Sequence, residues 1–204
     1  MQSALIDRLQ AVFRHNAQRQ YERVPVPPFA AFFHPEDSLR YFNYAIPDTS
    51  HPESTPGVSE ALERLQLVFA RRGRMARFEF VEEYAPALSC VLCACGFAEE
   101  ARQCLMVCST GDLQPRSAMP DLTIARVTQE SALSDARSFL AVQHHAFEPA
   151  DEPVVLDASE MEGFLARLGK DAALLARMKG QPVSAAMYTE PCDGVVEILG
   201  VLVQ

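Results

Sequence analysis

Val195-Val196-Glu197-Ile198-Leu199-Gly200-Val201-Leu202-Val203-Gln204 constrains this chain more than any other stretch. So dense a run of Val, Ile and Leu reads as a buried strand that wants sheet neighbours on both sides. Chain ends are usually polar and frayed. An apolar terminal strand therefore predicts a sheet completed elsewhere, by the first half of the chain or by a second subunit. Left open, the edge is prone to aggregate. Glu197 interrupts the run, and a carboxylate in a strand core is costly unless it is paired or used.

The charge balance narrows the partners. A formal charge of −9 argues against nucleic acid, because phosphate binding needs clustered Lys and Arg. Arg71-Arg72-Gly73-Arg74 is too short to reverse that and reads as a solvated face. No apolar run approaches the ~20 residues of a membrane helix, and the N-terminus lacks a signal-peptide pattern. The expectation is a cytoplasmic protein with no membrane partner. Cys90 and Cys93 have zinc-like spacing. They sit among Leu88, Val91 and Leu92 in a helical pattern, with no His at ligand spacing. Structural thiols rather than a metal site are expected.

Element order follows from periodicity. An amphipathic helix spans 3–22 and ends at Pro25, Pro27 and Pro28. Strands are expected at 29–33 and 39–46. A helix covers 58–72, stopped by Gly73. A strand at 76–81, a helix from Pro86 to Gly96-Phe97 and a strand at 100–108 complete the first half. Residues 109–120 form the linker, which divides the chain into 1–115 and 116–204.

The second half opens with a strand, Leu122–Val127, and a helix over about 131–147. Asp157 with Glu160 three residues on is a capping-box arrangement for the next helix. Strands at 172–178, 183–189 and 195–203 close the chain, joined by turns at Lys179-Gly180 and Asp193-Gly194. The class is α/β (α+β), a mixed and mostly antiparallel sheet flanked by helices.

Strand, two helices and a three-strand meander, over Leu122 to Gln204, resemble the first half of a GNAT-superfamily N-acetyltransferase dependent on acetyl-CoA. Glu197-Ile198-Leu199-Gly200-Val201-Leu202-Val203 is similar to that family's fourth strand. The Gln/Arg-x-x-Gly-x-Gly/Ala loop that follows it in the family, and binds the pyrophosphate through backbone amides at a helix N-terminus, has no counterpart in either half. Phe78–Val81, the helix ending Ala94-Cys95-Gly96-Phe97 and Glu100–Cys108 resemble the family's later elements. The resemblance thus implies two partial copies in tandem: a degenerate N-terminal copy and a C-terminal copy truncated after its fourth strand. The two halves either form separate sheets or pack as one permuted sheet, within a chain or swapped in a homodimer.

The resemblance implies a cofactor, acetyl-CoA, and an acceptor that is a small-molecule or peptide amine. Glu197 takes the general-base role, since desolvation in a strand core raises a carboxylate pKa; the alternatives are a solvent-facing side chain or an Arg pair. The backbone amides of Val201, Leu202 and Val203 receive the cofactor, or else pair in an ordinary sheet. Tyr188 is read as packing rather than as a proton donor. Tyr84 follows the fifth-strand-like segment of a half that shows no cofactor loop. His144 and His145 close a helix and face either substrate or the helix dipole. Asp151 and Glu152 are read as loop residues. Two functions stand side by side: an N-acetyltransferase, and a non-catalytic descendant that keeps the fold for binding or dimerisation.

Overall fold

The computed structural model describes residues 2–35, 37–114, 117–147, 155–168 and 172–203. The chain divides into two units, Met1–Met106 and Val107–Gln204, each with its own antiparallel sheet.

The first unit is built on α1 (Gln2–Gln20), β1 (Glu22–Val26), β2 (Phe29–Phe33), β3 (Asn43–Pro47), α2 (Val58–Arg71) and α3 (Leu88–Ala94). Every residue of β2, Phe-Ala-Ala-Phe-Phe, is buried, and the two-residue period of a strand sorts them onto two faces. Phe29, Ala31 and Phe33 join Leu62, Leu65 and Phe69 of α2 and Leu88 and Leu92 of α3. Ala30 and Phe32 join Ala17 of α1 and Ile46 of β3. The ring centres of Phe33 and Phe69 lie 4.7 Å apart in this core. Both shorter helices end the same way. Gly73 and Gly96 adopt positive φ, and the amides of Arg74 and Phe97 reach back to the carbonyls of Phe69 and Leu92, each at 3.0 Å. These are Schellman stops, which glycine favours.

The first unit departs from expectation in four places. The strand expected at 39–46 starts only at Asn43, after a 3-10 turn over Arg40–Phe42. β1 forms where only a helix terminator was expected; Pro25 is tolerated because β1 is an edge strand of the order β1-β2-β3. The strand expected at 76–81 shrinks to a parallel bridge between Ala45 and Phe78. The next free amide, that of Val81, is taken at 2.9 Å by the side chain of buried Gln10 instead of by β3. Residues 100–108 form no strand, and Met106 is 93% exposed. Their alternating Leu105 and Val107 have no sheet partner among the described residues. Ion pairs hold the start of this segment instead. The Glu100 carboxylate meets Arg77 at 3.0 Å and Arg40 at 3.1 Å, and Arg102 meets Glu82 at 3.0 Å.

The second unit contains β4 (Leu122–Val127), α4 (Leu133–Phe147), α5 (Ala158–Leu168), β5 (Ala172–Met178), β6 (Gln181–Tyr188) and β7 (Ile198–Val203), with sheet order β4-β5-β6-β7. One face carries α4 and α5. Phe139, Val142, Met161, Phe164, Leu165 and Leu168 pack over Val127, Ala173, Leu175 and Ala185. The rings of Phe139 and Phe164 stack at 4.9 Å. Lys179-Gly180 and Asp193-Gly194 all have positive φ, as two-residue hairpin loops require.

The terminal strand also departs from expectation. It begins at Ile198, not Val195, and it pairs only with β6 among the described strands. β7 is therefore an edge. Ile198 is 68% exposed and Val203 74% exposed, so the apolar run is not buried on both sides.

Candidate functional site at the β6–β7 edge

Glu197 lies one residue before β7 and is half-buried. Its backbone is held from β6. The Thr189 amide donates to the Glu197 carbonyl at 3.0 Å, and the Glu197 amide donates to the Thr189 hydroxyl oxygen at 3.2 Å. The pairing continues through Tyr188 with Ile198 and Met187 with Leu199.

After Leu199 the ladder slips. The next pair is Ala185 with Leu202, so Ala186 faces both Gly200 and Val201. One extra residue on one strand is a β-bulge, and Gly200, at φ +57°, supplies the left-handed residue that such a bulge uses. The Gln143 amide of α4 lies over this glycine, 3.6 Å from where a Cβ would stand. Sequence reasoning passed over the bulge, although a lone glycine inside an apolar strand is its usual signal.

The three backbone positions expected to receive a cofactor fall in different settings. Val201 lies in the bulge. Leu202 pairs with Ala185, its carbonyl accepts the Ser184 hydroxyl at 2.7 Å, and its side chain packs on the core. Val203 pairs with Ser184 at the end of the edge. Alternation along an antiparallel strand turns every second residue's backbone groups away from the neighbour, and on β7 that side has no strand among the described residues. Backbone donors on such an edge fit the amide-bearing arm of a pantetheine.

Other residues singled out from sequence lie elsewhere. Tyr188 neighbours Ile198 but is covered by the Arg126 guanidinium, 5.6 Å from its ring centre. His144 and His145 are exposed on the last turn of α4. Tyr84 packs on the first unit's core. Asp151 and Glu152 lie outside the described residues. The expectation that the cysteines pack as small apolar residues holds poorly. Cys90 and Cys93 are exposed because the core side of α3 is taken by Leu88 and Leu92, Cys104 and Cys108 are exposed in segments outside helix and strand, and Cys95 alone of these five packs on the first unit's core. No group of three metal-ligating side chains occurs among the described residues, and no described helix is long and apolar enough to cross a membrane.

A GCN5-related N-acetyltransferase from Kribbella flavida superposes on this structure with a TM-score of 0.73 at 25% sequence identity, covering 97% of this chain and 72% of that one. The chain has the GNAT-superfamily fold. No family model and no curated protein matches the sequence. Two antiparallel sheets flanked by helices agree with the GNAT assignment. In GNAT proteins generally the fold binds acetyl-CoA.

Proposed function

We propose that the chain is a GNAT-type N-acetyltransferase that uses Glu197 as general base, with an amine of a small molecule or peptide as acceptor. The observation that carries this reading is the position of Glu197 beside a bulged, open-edged strand within a GNAT fold. Acetyl-CoA held along β7 would supply an activated acetyl group: the amine nitrogen would bond to the acetyl carbon, the C–S bond would break, and the departing thiolate would take up the proton first received by Glu197. The backbone of Val201 and Val203 would hold the pantetheine arm. The Glu197 carboxylate accepts the proton that the acceptor nitrogen sheds. The first unit is read as the degenerate partner of a tandem pair, with 1–115 and 116–204 as the two copies.

Replacing Glu197 by Gln tests the base. It keeps the shape and removes the proton acceptor, so turnover falls by about 10²–10⁴-fold while acetyl-CoA binding stays. A variant as active as the parent sinks this role.

The second reading is a GNAT-derived module that binds or dimerises without catalysis. The edge of β7, which has no second strand beside it among the described residues, favours it as a place for a partner strand. Titration calorimetry with acetyl-CoA separates the two, and no heat at millimolar cofactor selects the module.

A further inference from the structure

We infer that Thr189 is a positioning residue for Glu197, a proposal that rests on reading Glu197 as the base. Thr189 is 2% exposed, one of few buried polar residues among those described. A hydroxyl at that depth is costly unless it is bonded. Its oxygen accepts the Glu197 amide at 3.2 Å, and its own amide donates to the Glu197 carbonyl at 3.0 Å. In a regular antiparallel pair the first of these bonds would go to the Thr189 carbonyl. A side chain has taken the place of the backbone acceptor.

The substitution falls where the hairpin is about to lose register. Between this pair and the Cys192–Val195 bridge, Glu190 and Pro191 oppose Val196 alone. The ladder cannot hold the Glu197 peptide by repetition from that side. The Thr189 hydroxyl fixes the plane of that peptide, and the plane sets the direction in which the Glu197 side chain leaves the backbone. Thr189 touches no reacting atom in this scheme and acts only through Glu197.

Thr189→Val keeps the shape and loses the acceptor, while Thr189→Ser keeps the acceptor. The experiment compares both with the parent chain and with Glu197→Gln. It measures acetyl-CoA-dependent thiol release with the best acceptor from a panel of primary amines, and hydrogen exchange at the Glu197 amide. The expected result for Thr189→Val is a kcat about tenfold lower with little change in KM, since small misplacements of a reacting group are costly. Exchange at Glu197 accelerates by about two- to tenfold, the range that loss of one hydrogen bond gives. Thr189→Ser restores both, a rescue that a loss of packing alone would not give. Parent-like exchange at Glu197 in Thr189→Val overturns the proposal, as does parent-like kcat in that variant when Glu197→Gln is inactive. Parent-like turnover in Glu197→Gln overturns the base role instead, together with the catalytic part of this proposal, while exchange still decides whether Thr189 holds the Glu197 backbone.

Discussion

Asp157 and Glu160 exchange hydrogen bonds at the start of α5. The Asp157 carboxylate accepts the Glu160 amide at 2.9 Å, and the Glu160 carboxylate accepts the Asp157 amide at 2.9 Å. The Ser159 hydroxyl adds a third bond to the same Asp157 oxygen. The Glu160 amide, followed by the Ser159 hydroxyl, holds the Asp157 carboxyl below its ordinary value.

A group with a depressed folded-state pKa stabilises the fold above its unfolded value, about 3.9 for Asp, and loses that contribution as pH falls through the folded value. Asp157→Ala should lower the melting temperature of the second unit at pH 7. The gap between variant and parent should shrink as the medium is acidified below about pH 4. Thermal melts at a series of pH values check this. A gap that does not change with pH would show that the carboxylate's charge is irrelevant to the cap.

Gly200→Ala probes the bulge. The 3.6 Å approach to Gln143 is ordinary contact, so the cost comes from the left-handed backbone, about 1–2 kcal/mol. Urea unfolding measures it. If the bulge sets the cofactor edge, acetyl-CoA binding should weaken together with stability.

Phe139→Ala removes half of the Phe139–Phe164 stack from the second unit's core and should cost about 3–5 kcal/mol. Hydrogen exchange should accelerate in β5 and β6 and stay unchanged in β2, whose core contains neither ring. Equal acceleration in both sheets would contradict separate cores.

Glu100→Gln weakens the clasp formed with Arg77 and Arg40. Trypsin should then cut faster after Arg102. In the parent chain, molar salt should raise the cleavage rate toward that of the variant, since ion pairs exposed at the surface are screened.

Much of this was legible in the sequence because local chemistry and tertiary structure agreed. Gly73 marked the stop of α2, Asp157 and Glu160 marked the start of α5, and Lys179-Gly180 and Asp193-Gly194 marked hairpins that their positive φ values realise. The misreadings occur where a distant partner decides. Pro25 concealed β1 because only sheet position shows that its missing N–H costs nothing there. Residues 100–108 have strand composition, but strand formation needs a neighbour, and ion pairs to Glu100 and Arg102 hold the start of that segment instead. The Glu197 environment was half visible. The carboxylate stood out in an apolar run, while its tie to Thr189 depends on a hairpin register that composition does not encode.

The clusters around Phe69 and Phe139 share no residue. Injury to one is not inherited by the other. A lineage that carries such a chain can let the interior of one lobe drift in sequence without loosening the interior of the other.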